Sequence, residues 1–235
     1  MVFHFWDVAT PTALVVFRLS INFSGQVFMI IIQSNQSIHF ILDLGSERCR
    51  LTSLTGMTGL CVVEAAIQKG KLLLINIYQD KVEVVVGNVL NQSDVDSAVQ
   101  GMDGVVVALG TRNDLKPTTD MSDGMKNIIT AMKTNKVETV SVCLSAFLIM
   151  EKVPPVFVDI TADHKRMWDA LKESGLKYIS VFPPHIADAP SGEYTVAFDK
   201  SPARAISKWD LGKFLVECLT NPEYVGKIVF AFTKK

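Results

Sequence analysis

A chain of 235 residues with a formal net charge of −1 has length for one sizeable α/β domain and no basic excess for nucleic acid or an anionic membrane. Hydrophobic residues at 49% and charged residues at 20% fit a soluble globular protein. The four cysteines, Cys49, Cys61, Cys143 and Cys218, form no C-x-x-C pair and no Cys/His cluster, which argues against a metal site and suits a reducing compartment.

The first fifty residues carry three apolar runs, at 14–17, 27–32 and 40–44, broken by Arg18, Asn22, Gln26, Gln33 and His39. None approaches the ~18 apolar residues of a membrane-spanning helix, and residues 1–6 lack the basic start of a signal peptide. Ser24-Gly25 and Ser34-Asn35 read as turns between β-rich runs. Short strands or a poorly ordered arm both satisfy this pattern. The expected division is an N-terminal extension over residues 1–50 and one domain over residues 51–235.

Residues 50–54 read as a weak strand leading into Thr55-Gly56-Met57-Thr58-Gly59, and a helix with Leu60, Val63, Ala66 and Ile67 on one face follows. Runs 72–77 and 82–86 are strand-like, with only residues 78–81 between them. A parallel crossover needs about a dozen residues, so either these runs form an antiparallel hairpin or one is not a strand. Residues 93–99 read as a short helix opening on Ser93. Residues 105–109 are wholly apolar, as in a strand buried on both faces, and stop at Gly110. Met121, Met125 and Ile129 mark a helix over 122–134; a strand at 137–144, a helix at 162–174 and a strand at 178–182 follow. The chain closes with Pro183-Pro184, a strand at 193–198 and a helix at 207–219, where Ser207 and Asp210 are spaced for capping. Strands alternating with helices predict a Rossmann-like, doubly wound, mostly parallel sheet with helices on both faces.

In such folds ligands sit at the carboxyl ends of the strands, and glycines there let the backbone approach them. Thr55–Gly59 between strand and helix suits a pyrophosphate at a helix N-terminus, although a plain strand–helix turn has the same outline. Asp80 could hold a ribose hydroxyl and favour NADH, Lys81 could meet a phosphate as a point charge, or both could belong to a solvated turn. The Tyr-x-x-x-Lys pair of classical short-chain dehydrogenases is absent: Tyr178 is followed at that spacing by Phe182, and neither Tyr78 nor Tyr194 has a lysine four residues on.

The stretch Leu109-Gly110-Thr111-Arg112-Asn113-Asp114-Leu115, followed by Pro117-Thr118-Thr119, resembles the NADPH-dependent flavin reductase / biliverdin-IXβ reductase family, atypical members of the short-chain dehydrogenase/reductase superfamily. The resemblance runs over about residues 52–220 and is dense at 143–148, 163–167, 183–186 and 206–212. It implies hydride transfer from NADPH to a flat acceptor, a flavin (FMN or FAD as substrate) or a linear tetrapyrrole. It implies cofactor contacts from Thr55, Gly56, Thr58, Gly59, Asn88, Val89, Leu109, Gly110, Thr111, Arg112, Met121, Cys143, His164, Pro184 and Ile186. Ser145 and His185 would flank the nicotinamide, and Phe147 and Lys152 would meet the acceptor. The sequence departs from the family pattern in Ser53 for the first glycine, Asn88 for an aspartate, Met150 for a tryptophan, Val156 for an arginine, and in lacking the arginines that meet the adenosine 2′-phosphate. NADH therefore stays open beside NADPH. Cys143 and Cys218 match family cysteines, with either a reactive or an inert buried thiol as the reading. Three outcomes remain: a reductase, a non-catalytic NAD(P)-binding or sensor protein of NmrA-like type, and a degraded copy without activity. A cytoplasmic monomer without nucleic-acid or membrane partners is expected.

Overall fold

The computed structural model describes residues 13–20, 27–34, 82–111, 114–198 and 204–233. Its strands are β1 (Ala13–Ser20), β2 (Val27–Ser34), β3 (Val82–Gly87), β4 (Gly104–Ala108), β5 (Thr139–Cys143), β6 (Lys177–Val181), β7 (His185–Ala187), β8 (Tyr194–Phe198), β9 (Ala205–Ser207) and β10 (Ile228–Thr233). The α-helices are α1 (Gln92–Val99), α2 (Asp120–Thr134), α3 (Val158–Glu173) and α4 (Lys208–Glu217). The main sheet runs β3-β1-β2-β4-β5-β6-β10-β8, and β7 pairs with β9 in a separate small sheet. From β2 through β4, β5 and β6 to β10 every pairing is parallel, while β1 and β8 run antiparallel to their neighbours. This is the expected Rossmann-like architecture. Two strands from the first fifty residues enter it, β2 lying beside β4 with Ile32 opposite Ala108. The expected strands at 50–54 and 72–77, the helix after Gly59 and the short connection 78–81 lie outside the described residues.

Strand β4 is apolar throughout because both of its faces are covered. Val105 and Val107 of β4 join the core formed with α1, α2 and α3, whereas Val106 joins the opposite core formed with α4. In β10 the same alternation sends Phe230 to the first core and Val229 and Ala231 to the second. The two buried serines of the sheet are satisfied across these layers. Ser141 Oγ donates to the Leu215 carbonyl at 2.7 Å, and Ser180 Oγ accepts from Trp168 Nε1 at 3.1 Å. Burying these hydroxyls without partners would cost about 1–3 kcal/mol each.

Element ends show where local signals competed. Helix α1 is capped by Asn91, whose side chain accepts from the Ser93 amide at 3.0 Å, so Ser93 is inside the helix and not its cap. Ser207 does cap α4, accepting from the Trp209 amide at 3.3 Å. Asp210, read as its capping partner, is instead fully buried and accepts from Ser191, Gly192 and Thr233. Helix α3 ends at Gly175, whose φ of 75° supplies the left-handed residue that stops a helix. Strands β7, β9 and β10 carry no counterpart in the sequence reading.

Candidate active site at the carboxyl edge of the sheet

Parallel register brings the carboxyl ends of β4, β5 and β6 to one edge: Val107 lies opposite Val142, and Cys143 opposite Val181. Three segments leave this edge: Leu109-Gly110-Thr111 after β4, Leu144-Ser145 after β5 and Phe182–Pro184 after β6. Strand β3 runs the same way, so Gly87-Asn88-Val89 leaves beside them.

Gly110 is the open position. A Cβ built there meets nothing within 4 Å, and its φ is not in the left-handed region. Among the described residues nothing therefore makes a steric demand for glycine at this point. Gly124 is the opposite case. A Cβ there would lie 2.8 Å and 2.9 Å from the two Val89 methyls, so helix α2 sits directly on the loop after β3. That contact, with Asn127 Nδ2 donating to the Val89 carbonyl at 2.9 Å, fixes Asn88 and Val89 against α2. Asn88 turns its side-chain oxygen to its own loop, accepting from the Leu90 amide at 2.9 Å, while its backbone amide donates to Asp94 at 2.8 Å. Thr111 also closes its own turn, its hydroxyl donating to the Asp114 carbonyl.

The described candidates fall into three groups. Met121, Leu109 and Val89 are buried in the core, so their side chains serve packing and only their backbones face the loops. For Met121 burial agrees with a core methionine, the other reading its sequence position allows. Burial pushes the pKa of the half-buried Cys143 thiol up to about 12, which favours its protonated form. The buried Cys218 Sγ donates to the Leu215 carbonyl. Ser145 accepts from the Phe147 amide at 3.3 Å and so caps the one-turn 3₁₀ helix Ala146–Ile149, leaving its hydroxyl proton available. Phe147 stacks on Phe157 with ring centroids 4.9 Å apart, which covers one of its faces. Lys152 is exposed. His185 is exposed at the start of β7, its backbone amide donating to the Arg204 carbonyl at 3.2 Å, with Pro184 and Ile186 half-buried around it. Thr55, Gly56, Thr58, Gly59 and Arg112 lie outside the described residues.

His164 is the most unusual polar group. Its Nδ1 is fully buried and has no hydrogen-bond partner, although part of the ring reaches solvent. Burial lowers its pKa to about 4, with the Asp163 charge pulling the other way, so the imidazole is neutral at pH 7. The open position at Gly110 fits close approach of a dinucleotide to this edge.

Sequence reasoning missed Asp163 and Asp210. Both are fully buried carboxylates that accept hydrogen bonds from the backbone of segments flanking the edge. In one dimension Asp163 looks like a solvated helix charge and Asp210 like a helix cap. Among the described residues no group of His, Cys, Asp and Glu could hold a metal ion, and no helix is long and apolar enough to cross a membrane.

The architecture is similar to solved structures. One is a candidate epimerase from Bacteroides thetaiotaomicron, 15% identical, with a TM-score of 0.59 over 77% of this chain and 94% of that one. Another is a candidate NAD-dependent epimerase/dehydratase from Bacillus halodurans, 20% identical, with a TM-score of 0.55 over 63% and 72%. An oxidoreductase from Lactococcus lactis, 15% identical, gives a TM-score of 0.53 over 63% and 70%. Identities this low speak for the fold alone. The family is shown by sequence: residues 55–222, more than half of the chain, match the model of the NAD(P)H-binding family, and the chain belongs to that family.

Proposed function

We propose that this protein is an NAD(P)H-dependent reductase that passes a hydride to a flat conjugated acceptor, a flavin or a linear tetrapyrrole. The observation that carries the reading is the segment from Leu109 to Thr119, whose residues resemble the flavin and biliverdin-IXβ reductases and whose Gly110 leaves open space at the end of β4. The nicotinamide supplies the hydride when bound. The chain's own part is orientation: the Ser145 hydroxyl offers a hydrogen bond to an uncharged polar group, and His185 stands exposed beside Pro184. No strong catalytic acid is required, because a reduced flavin takes its proton from solvent. The side chains agree with that economy. Tyr178 is in strand β6 with its ring packed against the core, and Phe182 is fully buried where a classical enzyme would carry lysine.

A second reading, dinucleotide binding without turnover, draws on the Phe147–Phe157 stack, which occupies a ring face that an acceptor would use. The test is a titration of the purified chain with NADPH and with NADH, followed by nicotinamide fluorescence, and then addition of FMN while nicotinamide absorbance is recorded. Saturable binding with FMN-dependent oxidation supports the reductase. Saturable binding without oxidation selects the second reading. Absence of binding by both dinucleotides overturns both.

A further inference from the structure

We propose that Asp163 and Arg166 are positioning residues, a clasp on α3 that fixes the β4–α2 loop and with it the wall of the dinucleotide site; the second half of this statement rests on the function proposed above. The first amides of any helix lack intrahelical partners. At α2 the residue in the cap position, Thr119, makes no side-chain cap hydrogen bond. Thr118 Oγ1 accepts from the Asp120 amide at 3.1 Å, and the next amide, that of Met121, donates to Asp163 Oδ2 at 3.0 Å. The cap thus comes from another helix, 42 residues further along the chain.

Asp163 is wholly buried, and a buried carboxylate needs compensation. The positive end of the α2 dipole supplies part of it. Arg166, one turn along α3, supplies the rest: its Nη2 donates to Asp163 Oδ1 at 3.1 Å and to the Thr118 carbonyl at 2.7 Å. One guanidinium nitrogen therefore ties the carboxylate to the loop backbone. The other end of the loop is held by Leu109, buried at the end of β4. Held at Thr118 and Met121, the backbone that enters α2 keeps its shape before any ligand arrives, and misplacing such a wall by about 1 Å costs roughly 100-fold in function.

The variant to make is Arg166→Gln, because this side chain is 45% exposed and its loss is compatible with folding. Amide hydrogen exchange is expected to speed up by about tenfold over residues 114–122 and far less in the rest of the chain, with a lowered thermal midpoint because Asp163 loses part of its compensation. NADPH affinity is expected to fall by about tenfold, with partial recovery in Arg166→Lys, which restores charge but not the planar fork. Exchange that is unchanged over residues 114–122, or raised equally everywhere, overturns the clasp. A loosened loop with dinucleotide affinity unchanged from wild type overturns its positioning role. If wild type binds neither NADPH nor NADH while Arg166→Gln loosens only this loop, the clasp stands and the cofactor reading fails.

Discussion

The segments that flank the carboxyl edge on its two sides are both held by a buried aspartate from a helix, yet the two charges are balanced differently. Asp163 uses a cation, Arg166, whose side chain is half in solvent. Asp210 uses neutral donors: Ser191 Oγ at 2.7 Å, the Gly192 amide at 3.1 Å and Thr233 Oγ1 at 2.8 Å. Thr233 Oγ1 in turn accepts from the Ser207 amide at 2.9 Å, and Ser207 Oγ donates to the Ala189 carbonyl at 2.8 Å. The second network is closed within the protein, and it binds β10, α4 and the loop before β8 into one unit. The first is open at the arginine. A closed network has more to lose when its acceptor is removed, because every donor left behind is stranded; an open one can return its cation to water.

The largest effect is therefore expected at Asp210. Asp210→Ala should cost about 3–4 kcal/mol in urea unfolding, and Asp210→Asn about half of that, since an amide oxygen can still accept. A loss below about 1 kcal/mol would show that the donors find water and that the network is not closed.

The pH dependence belongs to the Asp163 side. The folded pKa of His164, about 4, lies below its ordinary 6.5, so in that window the unfolded chain binds a proton that the folded chain does not. Stability is full above pH 6.5 and declines as pH falls toward 4, by about 2 kcal/mol after allowing for the partly exposed ring. His164→Gln should flatten this part of the stability-versus-pH curve, and an unchanged slope would assign the acid sensitivity to other groups.

Asp163→Ala is expected to cost about 1–2 kcal/mol, less than Asp210→Ala, because Arg166 can turn outward and only the Met121 amide is stranded. A larger loss than at Asp210, measured in the same urea series, would reverse the comparison. The smallest stability effect is predicted for Gly110→Ala, within about 0.5 kcal/mol, since the added methyl meets no atom of the described residues. Its dinucleotide affinity should nevertheless drop by about tenfold where the backbone approaches the ligand. Equal affinity in a fluorescence titration would move the ligand away from this wall.

Much of the fold was legible in one dimension. The apolar run ending at Ala108-Leu109 announced a strand buried on both faces, and Val105, Val106 and Val107 divide between two cores as such a strand must. Met121, Met125 and Ile129 announced the buried face of α2 by their spacing, and all three are buried. Ser207 announced a helix start. The failures share a cause. Asn91 and Ser93 are both good caps, and local sequence does not rank two adjacent candidates. Strands β7 and β9 have three residues each and exist because His185 to Ala187 meet Ala205 to Ser207 across the fold.

The candidate site divides the same way. Sequence by itself determined the strand that ends at Gly110, the absence of a Tyr-x-x-x-Lys pair and membership of the NAD(P)H-binding family, because these depend on residue order and local spacing. Only the tertiary structure decided that burial pushes the Cys143 thiol pKa up, that the His164 Nδ1 is buried with no partner among the described residues, and that Asp163 and Asp210 hold the edge. Burial and long-range hydrogen bonds are properties of the packed chain: an aspartate in a helix reads as solvated charge until the amide it accepts from, 42 residues away at Asp163, is folded against it.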